Sequence, residues 1–217
     1  MDRGPSSRAL FDAVCANDVN KASAALKKGA DVNVVSKRLG WTLVNEEMYE
    51  KVTIIYDVEV ALGSYGGVFG IASALQVACA NSWIEMVDLL LQHQANINYQ
   101  EDAVGQTALH YACENGHLSV VEILLAAGCN KEARNKDGWT ALHSACDWGH
   151  LSVVEKLLSA GCKKEARDND GWTALHYACD GGHLSIVEKL LSAGCKKDVK
   201  DNVSVFVCNS ICVYFAN

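Results

Sequence analysis

The chain carries the sequence GQTALHYAC at residues 105–113, GWTALHSAC at 138–146 and GWTALHYAC at 171–179. Successive copies begin 33 residues apart, and each continues with Gly-His-Leu-Ser and an apolar stretch that ends in Ala-Gly-Cys. A motif of several parts that returns at a constant period indicates one structural unit stacked several times. The period therefore predicts the fold of most of the chain.

Within one unit, the apolar residues fall at the spacings of two short helices. Leu109 and Ala112 are three residues apart, and Leu118, Val121 and Leu125 are spaced by three and four. Neither helix can bury its apolar face alone, so neighbouring units must stack. The same pattern predicts helix N-caps at Thr107, Thr140 and Thr173, turns at Gly116, Gly149 and Gly182, and left-handed C-caps at Gly128, Gly161 and Gly194.

These motifs, Thr-Ala-Leu-His, Gly-His-Leu-Ser-Val-Val-Glu and Ala-Gly-Cys at a 33-residue period, resemble the ankyrin repeat. The resemblance covers about residues 8–33 and 71–202. It implies an all-α ankyrin-repeat solenoid, in which helix–turn–helix units of 33 residues are joined by β-hairpin-like loops. It also implies hydrogen bonds from His110, His143 and His176 between adjacent loops, and one concave surface that binds partner proteins.

The register of the repeat divides the chain into segments. Residues 34–70 are either a degenerate second repeat with a hairpin-like insertion or sequence foreign to the array. The C-terminal residues either follow a truncated array or fold back over its last repeat. The predicted segments are a flexible N-terminus at 1–7, an N-terminal capping repeat at 8–33, the degenerate repeat or insertion at 34–70, repeats at 71–101, 102–134, 135–167 and 168–200, and a non-repeat tail at 201–217.

Composition narrows the functional classes. The 217 residues include 26 acidic and 19 basic side chains, a net charge of −7. A negative chain repels a phosphate backbone, so nucleic acid is not an expected partner. No apolar run reaches the roughly 20 residues of a membrane-spanning helix, and the first residues lack the apolar core of a signal peptide. We therefore expect an intracellular, cytoplasmic protein without a membrane span.

Several side chains have the chemistry of a metal site or of a Cys–His catalyst, among them His143, Cys146, Asp147 and His150. Equivalent sets recur every 33 residues with the scaffold, whereas a catalytic site occurs once. We therefore expect no enzymatic activity, no metal and no cofactor, and reduced thiols that pack as small hydrophobes. Catalysis by residues 34–70 is a less favoured alternative.

The positions that differ between copies are free of the folding constraint and are the candidate contacts for a partner. They lie at the hairpin tips and at the end of the first helix of each unit. Aromatic side chains are frequent in binding hot spots, and the excess of acidic residues favours a partner with a basic or mixed apolar–basic surface. The predicted partner-binding residues are Tyr111, Glu114, Asn115, Lys136, Asp137, Trp139, Ser144, Asp147, Trp148, Asn169, Asp170, Trp172, Tyr177 and Asp180.

Two interpretations of function follow. The first is a non-catalytic protein–protein interaction module or scaffold that binds a partner protein or peptide through the concave surface. The second is a truncated fragment of a longer ankyrin-repeat protein with no function of its own.

Trp139 and Trp172 also fit a structural role, in which they pack against their own hairpins. Trp148 is different, because the residues at the equivalent positions of the other copies are Asn115 and Gly181.

Overall fold

The computed structural model describes residues 5–33, 73–100 and 104–196. These residues form ten α-helices, arranged as helix–turn–helix pairs. The all-α architecture expected from the repeat is confirmed. In chain order the helices are α1 (Pro5–Cys15), α2 (Val19–Lys27), α3 (Ala74–Ala80), α4 (Ile84–Gln92), α5 (Ala108–Glu114), α6 (Leu118–Ala126), α7 (Ala141–Asp147), α8 (Leu151–Ser159), α9 (Ala174–Asp180) and α10 (Leu184–Ser192).

The chain divides into two compact units, Met1–Ala112 and Cys113–Asn217. In the first unit, α1 packs against both α2 and α3, while α2 packs against α4. The backbone N–H of Asn96 donates a hydrogen bond to the side-chain oxygen of Asn33 at 2.6 Å. The capping helix pair and the pair in repeat 71–101 are therefore direct neighbours. The predicted degenerate repeat or insertion, 34–70, lies outside the described residues, as does the tail 201–217.

Helix α1 begins earlier than the sequence predicts. It starts at Pro5, because a proline in the first helical turn lacks only an N–H that would have no acceptor there. Ser7 is buried, and its hydroxyl oxygen accepts the backbone N–H of Asp31 at 3.0 Å. Residues 5–7, which the sequence analysis assigns to a flexible N-terminus, thus form the start of α1.

The second unit stacks helices of successive repeats. Helix α9 packs on α7, α8 packs on α6, and α10 packs on α8. Ala145 and Ala178 are fully buried, and their small side chains allow the first helices of neighbouring repeats to approach closely. Val154 and Leu157 of α8 are also fully buried, and each such aliphatic side chain stabilises the fold by about 1.5–3 kcal/mol.

A histidine completes the cap at the start of the first helix in repeats 102–134, 135–167 and 168–200. Thr140 is the N-cap of α7, as predicted. The Nδ1 atom of His143 accepts the backbone N–H of Thr140 at 3.0 Å and lies 2.9 Å from the Thr140 hydroxyl. His143 thus holds the position that Glu or Gln holds in a capping box. Thr173 and His176 repeat the arrangement at the start of α9.

The predicted glycine C-caps are confirmed. Gly128 has a φ of +79°, a conformation that glycine adopts without a steric penalty. Its N–H donates to the carbonyl of Leu125, and the N–H of Cys129 donates to the carbonyl of Leu124, both at 3.1 Å. This pair of bonds is a Schellman motif, which ends α6 and directs the chain into the hairpin loop.

Candidate functional site

The tip of each hairpin is closed by one polar side chain. In repeat 135–167, the side-chain oxygen of Asn135 accepts the backbone N–H groups of Asp137 at 3.0 Å and Trp139 at 2.8 Å. In repeat 168–200, Oδ1 of Asp168 accepts those of Asp170 at 2.9 Å and Trp172 at 2.8 Å. The two tips therefore have the same backbone conformation and present their side chains at equivalent places.

Successive tips are also joined to each other. The backbone N–H of Asn169 donates to the carbonyl of Asp137 at 3.0 Å, and its side-chain amide donates to the carbonyl of Lys136 at 2.7 Å. A Cβ on Gly138 would lie 2.6 Å from the side-chain oxygen of Asn169, so the close approach requires glycine at position 138. Lys136, Asp137, Asn169 and Asp170 are exposed on this rigid edge.

Three rings from both repeats form one cluster, which we call the hairpin aromatic cluster: Trp139, Trp172 and Tyr177. The ring centroids of Trp139 and Tyr177 are 4.4 Å apart, and those of Trp172 and Tyr177 are 5.1 Å apart. All three side chains are partly exposed. Both tryptophans therefore pack around a tyrosine of helix α9 and not only against their own hairpins.

Tyr177 is fixed by a carboxylate as well as by the rings. Its hydroxyl donates a hydrogen bond to Oδ2 of Asp168, whose other oxygen closes the hairpin tip. Burial and this bond to an anion raise the pKa of Tyr177 well above its usual value, because an ionised phenol would face the carboxylate. The phenol consequently remains protonated and acts as a hydrogen-bond donor.

The other candidate residues lie where helices α7 and α9 end. Trp148, the C-cap of α7, is 39% exposed. Asp147 is partly exposed and Asp180 is exposed at the equivalent place on α9. Burial, and next the nearby charge of Asp180, raise the pKa of Asp147, while His183 acts in the opposite direction. The two carboxylates therefore feel each other's charge.

Not all predicted contact residues face solvent. Tyr111, Glu114 and Ser144 are buried, with exposed fractions of 4%, 6% and 2%. Asn115 is partly exposed. Variation between copies identified these positions, but variation also occurs where one repeat packs against the next. Tyr111, Glu114 and Ser144 therefore expose little surface to solvent.

A second set of histidines, for which the sequence analysis predicted no structural bond, connects neighbouring repeats. The Nε2 atom of His150 donates to the carbonyl of Glu114 and that of His183 to the carbonyl of Asp147, both at 2.9 Å. These bonds satisfy carbonyls at helix ends that have no partner within the helix. The recurring Gly-His pair was the signal in the sequence for these bonds. The glycine leaves room for the histidine of the next repeat, because a Cβ on Gly149 would lie 2.5 Å from the ring of His183.

The role that the resemblance implied for the first histidine set is confirmed at His143. Its Nδ1 accepts the N–H of Thr140, so Nε2 carries the proton and donates to the carbonyl of Ala166 in the next loop at 3.1 Å. Burial lowers the pKa of His143 to about 4, so the ring is neutral at physiological pH. Both ring nitrogens are therefore occupied by structural bonds.

The thiols are also placed for packing. Burial raises the pKa of Cys113 and Cys146 well above the usual value, and that of Cys129 and Cys162 to about 11. A thiol with a raised pKa is a weak nucleophile at neutral pH. Within residues 5–33, 73–100 and 104–196, no three His, Cys, Asp or Glu side chains are grouped to hold a metal ion. Residues 34–70, the segment of the alternative catalytic hypothesis, lie outside those ranges.

The family model for ankyrin repeats, in three copies, matches residues 45–135 and 127–201, more than half of the chain. The chain belongs to the ankyrin-repeat family. Ankyrin repeats in general mediate protein–protein interactions and are typically non-catalytic. The first match begins inside 34–70, for which the sequence left a degenerate repeat and an insertion open.

Three relatives illustrate the proteins in which similar repeats occur. A probable E3 ubiquitin-protein ligase of Oryza sativa is 38% identical over 77 residues, 36% of this chain and 15% of the ligase. The mitochondrial disaggregase of Bos taurus is 30% identical over 142 residues, 63% of this chain and 21% of the disaggregase. Protein phosphatase 1 regulatory subunit 27 of Homo sapiens is 37% identical over 66 residues, 30% of this chain and 42% of the subunit.

This ankyrin-repeat chain thus aligns with less than half of the length of each of these relatives. In the described residues, none of the helices has both the length and the apolar character needed to cross a membrane.

Proposed function

We propose that this chain is a non-catalytic protein-interaction module. Its binding surface consists of the hairpin tips and first-helix ends of residues 113–196, and its partner is a protein or peptide with a basic or mixed apolar–basic surface. The observation that carries the proposal is the exposed indole of Trp148, which follows Asp147 at the end of α7, together with the charge of Asp180 that acts on Asp147. Exposed tryptophan is costly to leave in water and is frequent in hot spots.

The charge of the exposed tips supports a basic partner. Asp137, Asp170 and Asp180 are exposed, and Lys136 is the basic residue among the predicted contacts. A negative surface attracts a positive partner, accelerates its association and disfavours acidic competitors. The half-exposed hairpin aromatic cluster adds apolar area to the same unit.

A binding role also accounts for the residues that resemble a catalytic set. Both ring nitrogens of His143, and the Nε2 atoms of His150 and His183, form structural hydrogen bonds. The eight cysteines in the described residues are free thiols, which favours the reducing cytoplasm as the location. One relative is named a regulatory subunit, which accords with binding in place of catalysis.

The test compares two triple variants in an affinity capture from native cell extract. The site variant carries Trp148→Ala, Asp147→Lys and Asp180→Lys. The control carries Ile84→Ala, Asp88→Lys and Glu188→Lys, which makes the same change in charge and removes a side chain of similar exposure, 41% against 39%. Circular dichroism first establishes that the wild type and both variants are equally helical.

We expect the wild type and the control to capture the same partners and the site variant to lose them. With the purified partner, calorimetry should show at least a tenfold loss of affinity for the site variant, and an affinity of the wild type that falls as salt screens exposed charges. Identical capture by all three proteins would contradict the proposed surface. Capture by none would contradict an interaction role.

A further inference from the structure

Resting on the proposed function, the geometry points to one specific subsite: we propose that Trp148, Asp147 and Asp180 together bind an arginine side chain of the partner. These three residues, which we call the arginine subsite, supply a flat apolar side chain and two carboxylates. The described helices α7 and α9 hold them at their C-terminal ends.

The indole of Trp148 is available to a ligand. It is one of three large apolar side chains exposed in the described residues, with Ile84 and Leu184. Its backbone N–H donates to the carbonyl of Ser144, which fixes the start of the side chain on the last turn of α7. Within the part of the chain that the structure describes, no ring contact or side-chain hydrogen bond involves the indole.

The two carboxylates are held close to each other by the stacking of the repeats. The ring of His183 donates to the carbonyl of Asp147 at 2.9 Å, and a Cβ on Gly181 would lie 3.3 Å from that same carbonyl oxygen. The end of α9, where Asp180 lies, is therefore fixed beside the end of α7. Among the described residues, neither carboxylate forms an ion pair or a side-chain hydrogen bond.

The helix ends, as well as the two carboxylates, favour a cation at this place. Two helices end there, and the C-terminus of a helix carries a partial negative charge that favours a bound cation. The partly buried position of Asp147 makes its charge costly to leave uncompensated. A cation from the partner would relieve both the repulsion between the carboxylates and the cost of burial.

The chemistry favours arginine over lysine. A guanidinium group is planar, so it can stack on an indole while its N–H groups donate to carboxylates. An ammonium group supplies a point charge without a flat face and is more strongly hydrated. The tryptophan of the subsite is specific to repeat 135–167, because the residues that match Trp148 are Asn115 and Gly181.

A random dodecapeptide library, displayed on phage and selected on the immobilised wild-type chain, tests this directly. We expect the selected peptides to share an arginine at a fixed position. A synthetic copy of the most enriched peptide should bind the wild type at least tenfold more tightly than its lysine variant, and more tightly still than its citrulline variant, which keeps the shape of arginine without the charge.

The preference should depend on the three subsite residues. Trp148→Ala and the pair Asp147→Asn/Asp180→Asn should each abolish the difference between the arginine and lysine peptides. The pair Asp88→Asn/Glu188→Gln, which removes the same charge elsewhere, should retain it. Selected peptides without a fixed arginine, or an arginine preference that survives in Trp148→Ala, would overturn the subsite while leaving the interaction module intact. A selection that enriches no peptide at all would contradict the proposed function itself.

Discussion

Repeats 135–167 and 168–200 have the same scaffold but place their aromatic side chains differently. In the second, Tyr177 stands between Trp139 and Trp172 and is bonded to Asp168. In the first, the position of Tyr177 is taken by Ser144, and the aromatic residue lies one helical turn later, at Trp148.

Three equivalent positions differ together between these two repeats. Asp168, Tyr177 and Gly181 form one set, in which the tyrosine packs internally and the residue after the helix is small. Asn135, Ser144 and Trp148 form the other, in which the helix position is small and the aromatic side chain is exposed. Repeat 168–200 thus packs the aromatic residue of its first helix internally, whereas repeat 135–167 presents the one at its helix end to solvent. The following variants break or sharpen this contrast, beginning with the scaffold that both repeats share.

The largest effect should come from the shared histidine cap. His143→Ala leaves the buried N–H of Thr140 and the carbonyl of Ala166 without their partner, and we expect a loss of about 3 kcal/mol in the free energy of unfolding. His143→Gln should cost much less, because the chain itself shows glutamine in this role. Gln76 accepts the N–H of Ser73 at 2.7 Å and donates to the carbonyl of Gln106 at 2.8 Å. Urea unfolding at pH 7 measures both.

The wild type and His143→Gln should also differ in their response to acid. The pKa of His143 is about 4 in the folded chain and near 6.5 when unfolded, so the unfolded chain binds the proton first. Its contribution to stability is complete above pH 6.5 and is lost as the pH falls towards 4. His143→Gln should remove this part of the pH dependence. An unchanged loss of stability between pH 6.5 and 4 in that variant would contradict a neutral, bonded His143.

Tyr177→Ser gives repeat 168–200 the residue that repeat 135–167 has at the equivalent position, Ser144. This substitution removes the ring between two tryptophans and the hydrogen bond from the hydroxyl group to Asp168. The free energy of unfolding should therefore fall by about 2–3 kcal/mol. Denaturant unfolding followed by tryptophan fluorescence measures this. Adding Asp168→Asn, the other partner in the set, should recover part of the loss. Equal stability of wild type and Tyr177→Ser would mean that the cluster does not support the fold.

Gly149→Ala and Gly182→Ala sharpen the comparison at the turn between helices. Both glycines have positive φ, +78° and +68°, so alanine strains each by about 1 kcal/mol. At Gly149 the new Cβ would also meet the ring of His183 at 2.5 Å, whereas nothing lies within 4 Å at Gly182. We expect Gly149→Ala to cost about 1 kcal/mol more in thermal or urea unfolding. A second substitution, His183→Ala, should abolish that difference.

The smallest effect concerns Ser144. Its hydroxyl oxygen is buried and, among the described residues, has no hydrogen-bond partner. Ser144→Ala removes a polar atom that is desolvated without compensation, so the free energy of unfolding should rise by up to about 1 kcal/mol. Ser119→Ala, at an exposed site of the same unit, serves as the control. A loss of stability in Ser144→Ala would show that the hydroxyl makes a favourable contact.

The fold could be predicted from the sequence because residues within each repeat mark where its helices begin and end. Thr140 and Gly128 mark helix limits by local chemistry, and the 33-residue period fixes which faces must stack. The direct packing of α1 on α3 could not be predicted from the sequence. The chain between these helices is long enough for a further repeat, and its length does not say whether such a repeat is stacked between them.

For the candidate site, the sequence identified the exposed Trp148 but not the burial of Glu114 and Ser144. Variation between copies shows only that a position is free of the common scaffold, and packing between adjacent repeats varies too. The bonds from His150 and His183 were missed for a related reason. They join residues 36 apart, and their geometry depends on how repeats stack.

The most direct test of the account measures stability and binding in the same variant, Trp148→Ala. The enriched arginine peptide supplies the binding measurement, and urea unfolding supplies the stability. We predict at least a tenfold weaker affinity with a free energy of unfolding within about 0.5 kcal/mol of the wild type, as for an exposed side chain that serves a partner. Unchanged binding, or a stability loss as large as that of Tyr177→Ser, would contradict the claim that this repeat presents its aromatic side chain for recognition.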